Sequence, residues 1–180
     1  YKNLLHKEIE AIRSVNRIVF VAESDREFFL EHGVDQERTA VITNPMMLPL
    51  SVPDDNLSPQ QKHEFCGTAF QTGALFVGSG WYPNREAAQA IVTTIAPASP
   101  EVTFFIAGDC SKWVKRAPAN VRLLGIVSAH DLSTLYHMIT FALIPVGWGT
   151  GSSLKTVEAM AYGKVIVSTP IGVRGLMFEH

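Results

Sequence analysis

Pro145-Val146-Gly147-Trp148-Gly149-Thr150-Gly151-Ser152-Ser153-Leu154-Lys155-Thr156-Val157-Glu158-Ala159-Met160-Ala161-Tyr162-Gly163 follows one apolar run, Thr140-Phe141-Ala142-Leu143-Ile144, and leads into another, Val165-Ile166-Val167. The glycines at its start predict a turn at a strand end, and the residues from about Ser152 to Tyr162 predict a helix. Gly163 stands where a helix C-terminus takes a left-handed residue, which costs glycine nothing. Strand, turn, helix and strand in that order make a crossover, the connection that parallel strands require.

Upstream the same rhythm repeats. Ala74-Leu75-Phe76-Val77, Val102-Thr103-Phe104-Phe105-Ile106 and Val121-Arg122-Leu123-Leu124 are further β-rich runs. Mostly continuous apolar strands predict burial on both faces. Helix starts are expected at Asn84, at Ser128 or His130, and at Ser152 or Ser153. The fold class is therefore α/β, an open parallel sheet flanked by helices, whose ligand edge is formed by the carboxyl ends of the strands.

Residues 1–50 read as a separate piece: a helix over about 1–14, a strand over 17–21, a helix after Ser24-Asp25 and a short strand over 40–42. Residues 51–72, with Pro53, Asp54, Asp55, Asn56 and Pro59, read as a connector or mobile loop. The main α/β domain is expected over 73–180.

The chain has 180 residues, 47% of them hydrophobic and 18% charged, with a formal charge of -2. That composition suits one buried-core domain with a flanking piece. It gives no overall basic field for nucleic acid or an anionic membrane, so an anion must be met locally. No apolar run is long enough to span a bilayer, and Tyr1-Lys2-Asn3 begins no signal peptide. A soluble chain cut from a longer protein is the expectation. Cys66 and Cys110 match no metal spacing and are too few for a disulfide framework, which points to a reducing cytoplasm.

Six of the thirteen glycines fall between Gly147 and Gly175. A glycine turn before a helix lets backbone N–H groups approach an anion, and the helix N-terminus carries partial positive charge. Lys155 in the first helical turn opposes that dipole by about 0.3–1 kcal/mol, a penalty that a bound anion would offset. The competing reading is a surface lysine whose stem covers apolar neighbours. Glu158 lies at the edge of a core face expected to consist of Leu154, Val157 and Ala161. Its carboxylate can accept from the vicinal hydroxyls of a sugar, or it can form a weak i,i+3 ion pair with Lys155. A Walker loop is excluded because Gly163-Lys164 runs into Val165. A dinucleotide fingerprint fails because Pro83 stands where the third glycine after Gly78 and Gly80 should be.

These residues resemble the donor block of the retaining, group-1 (family 4-like) GT-B glycosyltransferases. The resemblance runs through Gly149, Lys155, Glu158-Ala159-Met160-Ala161, Gly163, Val165-Ile166-Val167-Ser168 and Gly172-Val173-Arg174-Gly175-Leu176. Upstream it takes in Phe76-Val77-Gly78-Ser79, Ile106-Ala107-Gly108-Asp109 and Leu124-Gly125, and it covers roughly Arg17 to the end. It implies a Rossmann-like GT-B C-terminal domain, truncated at its C-terminus and preceded by the end of the acceptor domain.

What the resemblance implies for the site is specific. Glu158 would bind the donor ribose and Lys155 the diphosphate. Gly78 and Ser79 would flank the diphosphate, Gly125 and Ile126 would border the base, and the turn Gly149, Thr150, Gly151 and Ser152 would face the ligand. Gly172, Val173, Arg174, Gly175 and Leu176 would place amides near the phosphates or sugar. Two departures stand out: Thr150 replaces a common glutamate, and Ser79 and Asn84 replace common cations. More of the diphosphate grip is then expected from Lys155, Arg85 and Arg174.

The implied reaction moves a sugar from a nucleotide diphosphate to an acceptor hydroxyl with retention. No metal or cofactor is expected, the nucleotide sugar being a substrate. The acceptor (a glycan, lipid or other hydroxyl compound) would sit on the N-terminal domain, so the fragment alone would be inactive. The setting would be polysaccharide or glycoconjugate biosynthesis in the cytoplasm, with a peripheral seat at the inner membrane allowed. A GT-B sugar-nucleotide epimerase and a non-catalytic nucleotide-binding module are the rivals. Trp81, Tyr82 and Trp148 could stack on a base or sugar or simply pack. His130 reads as a helix-start residue near the expected base contacts, His137 as structural, and Cys110 as inert.

Overall fold

The computed structural model describes residues 2–46, 71–149 and 152–176. The chain divides into two compact units. One comprises 1–45, 150–153 and 173–180, the other 46–149 and 154–172.

The first unit contains α1 (Lys2–Ser14), β1 (Ile18–Phe20), α2 (Glu23–Glu31) and β2 (Thr39–Val41). The strands pair in parallel, Ile18 opposite Thr39 and Phe20 opposite Val41. α1, β1 and β2 lie within a residue or so of their predicted places, whereas α2 starts at Glu23, so that Ser24 and Asp25 fall inside its first turn instead of preceding it. Arg26 ties helix to strand by bonding Thr39 Oγ1 at 2.8 Å and Glu23 at 2.6 Å.

The second unit is a five-stranded sheet of β3 (Thr72–Val77), β4 (Val102–Ala107), β5 (Val121–Gly125), β6 (Phe141–Ile144) and β7 (Val165–Ser168). Its spatial order is β5-β4-β3-β6-β7 and every pairing is parallel. The order reverses between β3 and β6, which opens a crevice at their carboxyl ends. The helices are α3 (Tyr82–Ala90), α4 (Ala129–Met138) and α5 (Leu154–Ala161). A π turn over Ile91–Ile95 prolongs α3 into a last turn, Ala96–Ala98.

Strand alternation divides the core between the two faces of the sheet. Ala74, Phe76, Phe104 and Ile106 pack with Ala87 and Ile91 of the α3 segment. Leu75, Phe105 and Ala142 pack with Leu135 and Tyr136 of α4 and Ala159 of α5. Burial on both faces holds for β3, β4 and β6. It does not hold for β5 and β7, which end the five-strand order: Val165 and Val167 of β7 face outward at 68% and 48% exposure.

Local chemistry corrects two further expectations. The α3 helix starts at Tyr82 with Pro83 in its first turn, where a missing amide hydrogen costs nothing. Asn84 is therefore a buried first-turn residue rather than the cap. The core face of α5 is Thr156 and Ala159, both fully buried, whereas Leu154 is 54% exposed. Thr156 can occupy the core because its hydroxyl donates to the Gly172 carbonyl.

Two termini agree with the sequence. Ser128 caps α4 by accepting from the Asp131 amide at 3.1 Å, which settles the choice against His130. Gly163 has φ of 65°, with its own amide bonded to the Met160 carbonyl and that of Lys164 bonded to the Ala159 carbonyl. That paired pattern is the Schellman C-cap.

Candidate functional site

At the reversal point of the sheet, the end of β3 and the start of α5 enclose a pocket of about 350 Å³, at the lower end of the roughly 300–1,000 Å³ typical of small-molecule sites. Val77, Gly78, Ser79, Asn84, Lys155 and Glu158 line it, together with Met46 and Leu154.

Polar side chains link its two walls. Lys155 Nζ donates to Asn84 Oδ1 at 2.9 Å, and Asn84 Nδ2 donates to Ser79 Oγ at 3.1 Å. Ser79 and Asn84, the positions that lack the cations of the resemblance, thus hold an ammonium that comes from 71 residues further along the chain. Arg85 does not share this role: its guanidinium lies 3.6 Å over the Trp113 ring and its Nε donates to the Gly80 carbonyl.

On the α5 wall, Glu158 Oε2 accepts from the Tyr136 hydroxyl at 2.9 Å. Tyr136 is 1% exposed and stacks on Tyr162 with centroids 4.5 Å apart. Burial, followed by the neighbouring Glu158 charge, pushes the phenol pKa up, so Tyr136 remains a donor. Burial raises the Glu158 carboxyl above its usual range, and the bond from Tyr136 partly counters this. Tyr136 was missed by the sequence reading. The available signal was a tyrosine on the inner face of α4, whose buried hydroxyl must find a partner.

A glycine underlies the pocket floor. Gly108, at φ of 97°, places its hydrogen where a Cβ would overlap the Gly78 carbonyl oxygen. That oxygen accepts from the Cys110 amide at 3.2 Å, and Gly108 N donates to the Gly125 carbonyl at 2.6 Å. Cys110 is fully buried and its thiol pKa is raised to about 11, chiefly by burial. Iodoacetamide at pH 7.5 is therefore expected to leave the folded Cys110 unlabelled and to modify it in denaturant, as read by peptide mass mapping. Equal labelling in both states would contradict its inert placement.

Of the expected site residues, Gly78, Ser79, Lys155 and Glu158 come together in this pocket. Gly125, at φ of 68°, and Ile126, 71% exposed, lie at the end of β5, two strands from β3, and do not line it. Gly149 is in the irregular stretch after β6, while Thr150 and Gly151 fall outside the described residues. Gly172 packs under the end of β6, where a Cβ would meet the Ile144 carbonyl at 2.7 Å. Ser152, Val173, Arg174, Gly175 and Leu176 belong to the first unit. There Ser152 accepts from Asn44 at 2.7 Å, and Gly175, at φ of 73°, closes on Ala22 and Ser152. Burial lowers the Arg174 pKa against the opposing effect of Asp25.

His137 packs edge-on against Tyr162, in keeping with a structural part, and His130 is an exposed first-turn residue of α4. Among the described residues no cluster of three or more His, Cys, Asp or Glu is placed to hold a metal ion, and no helix is long and apolar enough to cross a membrane.

A parallel sheet of this order, with a pocket lined by Lys155 and Glu158 at its switch point, defines a Rossmann-like domain. Residues 71–179 match the family described as Glycosyl transferases group 1, and the chain belongs to that family. Sequence comparison with curated proteins gives no match.

Solved structures share the fold. HepE of Anabaena, crystallised with UDP and glucose, is 20% identical with a TM-score of 0.73 over 96% of this chain and 49% of its own. TarM is 17% identical (TM-score 0.68; 97% of this chain, 33% of its own). WaaG, a glycosyltransferase involved in lipopolysaccharide biosynthesis, is 18% identical (TM-score 0.63; 88% of this chain, 45% of its own). The chain thus spans half or less of each neighbour.

Proposed function

We propose that this chain supplies the donor-binding half of a retaining glycosyltransferase, which moves a hexosyl or related sugar from a nucleotide diphosphate to an acceptor hydroxyl. The observation that carries the reading is the placing of the Lys155 ammonium, the Gly78-Ser79 turn and the Glu158 carboxylate around one pocket at the switch point. A diphosphate suits the ammonium, and a ribose diol suits the carboxylate. HepE, a neighbour in fold, has been crystallised with UDP-glucose, which supports a nucleotide sugar as ligand.

Within this reading the sugar–oxygen bond breaks with its electron pair passing to the diphosphate. Lys155 and the α5 amides neutralise the charge that develops there, stabilising the transition state more than the ground state. The acceptor hydroxyl oxygen bonds to the anomeric carbon on the face that the diphosphate leaves, and its proton passes to the departing diphosphate oxygen. A glycan, lipid or other hydroxyl compound is the acceptor, and its reacting hydroxyl is seated by the other half of the enzyme, so this chain alone binds donor without transfer. The setting is cytoplasmic. Product analysis with a labelled sugar nucleotide and the intact enzyme tests the assignment: transfer supports it, and epimerisation without transfer defeats it.

The Glu158–Tyr136 pair adds a pH test. The ionised carboxylate accepts the ribose hydroxyls, so donor affinity is present above the Glu158 pKa and is lost as pH falls through it. Because burial raises that pKa, the loss sets in above the ordinary glutamate value of about 4.3. Tyr136→Phe removes the bond that holds the pKa down and moves the midpoint to higher pH. Calorimetric titrations between pH 4.5 and 8 read both midpoints, and coincident profiles would remove Glu158 from the donor site.

A further inference from the structure

Trp81, Tyr82 and Trp148 gather at the carboxyl edge of the sheet and keep 52%, 56% and 45% of their surface in water. Trp81 and Tyr82 open α3 just beyond the pocket-lining Ser79, and Trp148 follows β6. The Trp81 and Trp148 centroids are 5.8 Å apart with their planes at 61°, forming a corner, and Tyr82 flanks Trp148 at 6.0 Å. The indole N–H of Trp148 donates to Glu86 Oε2 at 2.6 Å, which fixes the ring and leaves a carboxylate beside it.

About half of each residue's surface stays in water, which leaves aromatic area for a ligand to cover. Flat aromatic faces take up the C–H face of a pyranose, and the adjoining carboxylate accepts from its hydroxyl rim. Aromatic side chains also lose little conformational freedom on binding, having two χ angles each. Tryptophan and tyrosine likewise settle at membrane interfaces, but attraction to anionic lipid needs cations. The charged group bonded within this cluster is Glu86, and the adjacent Arg85 is stacked on Trp113 instead.

We propose that Trp81, Tyr82 and Trp148 form a saccharide platform beside the donor pocket, gripping a sugar ring of an oligosaccharide acceptor or product. The proposal rests on the glycosyltransferase reading for the class of ligand, and on the three rings for the site.

The test uses the full chain with maltohexaose, cellohexaose and chitohexaose as probes, followed by tryptophan fluorescence and calorimetry, with UDP-glucose titrated separately. At least one hexasaccharide is expected to bind saturably. Trp148→Ala should weaken it at least tenfold while UDP-glucose affinity stays within twofold, and Trp148→Phe should retain most of the binding. Should Trp148→Ala lower the melting temperature, Trp81→Ala serves as the second variant with the same expectation. Absence of saturable binding to any of the three probes overturns the platform, as does binding indifferent to both tryptophans. Partition into phosphatidylcholine–phosphatidylglycerol vesicles that depends on Trp148 and is not reduced by hexasaccharide overturns it in favour of a membrane contact. Hexasaccharide binding lost in Trp148→Ala without any nucleotide-sugar binding would instead leave the platform standing and defeat the donor-site reading.

Discussion

Lys155→Ala is expected to weaken nucleotide-sugar binding roughly ten- to hundredfold in a calorimetric titration while leaving the fold intact. A hydrogen bond to a charged group contributes about 1.5–3 kcal/mol, and each 1.4 kcal/mol is about a tenfold change in affinity. In the free protein the ammonium opposes the α5 dipole, so its removal relieves about 0.3–1 kcal/mol. The lost bond to Asn84 works in the other direction. Asn84 lines the pocket, so water can take the place of the ammonium at its Oδ1, and stability and affinity should separate: a melting temperature near that of the parent with much weaker binding.

Glu158 requires a more careful substitution. Alanine would strand the Tyr136 hydroxyl, buried at 1% exposure, at a cost of about 1–3 kcal/mol. Glu158→Gln keeps an acceptor oxygen for Tyr136 and removes only the charge needed by the ligand's hydroxyls, so it should lose affinity by a similar factor without that penalty. Unchanged affinity in both Lys155→Ala and Glu158→Gln would defeat the site.

The contrast between those two residues shows what was legible. The strands were, because apolar runs of four or five residues separated by helical stretches have few other uses in a chain of this composition. The helix carrying Lys155 and Glu158 and its Gly163 cap were local patterns and stand as read. The partners were not legible: Asn84 lies 71 residues from Lys155, and Tyr136 lies 22 from Glu158. Only the sheet order brings them together. The α5 face was misjudged for a related reason. Hydrophobicity favoured Leu154 for the core, but the Gly172 carbonyl offered Thr156 a bond that no sequence spacing reveals. Ser79 and Asn84 looked like lost cations, whereas their hydrogen bonds seat the cation that remains.

Gly108→Ala is expected to cause the largest loss of stability of any single methyl addition discussed, lowering the melting temperature by roughly 5–10 °C. Gly108 combines φ of 97° with ψ near 180°, a region essentially confined to glycine and costing other residues about 1–3 kcal/mol. In addition, the new Cβ would overlap the Gly78 carbonyl oxygen and lie 3.0 Å from its carbon. Backbone cannot rotate away as a side chain can. Moving Gly78 would disturb the Cys110 bond to the same carbonyl, and moving Gly108 would disturb its bond to Gly125, so β3, β4 and β5 would separate at their carboxyl ends. At about 2–4 °C per kcal/mol for a chain of this size, strain and displacement together reach the stated range. Two neighbours separate the causes. Gly125→Ala meets the φ penalty alone, since no atom lies within 4 Å of its Cβ, and Gly147→Ala meets neither. Melting temperatures should fall in the order Gly147→Ala, Gly125→Ala, Gly108→Ala, and equal losses for the last two would show that the Gly78 contact carries no energy. Since Gly78 also lines the pocket, whatever Gly108→Ala protein remains folded should bind nucleotide sugar more weakly, whereas Gly147→Ala should not.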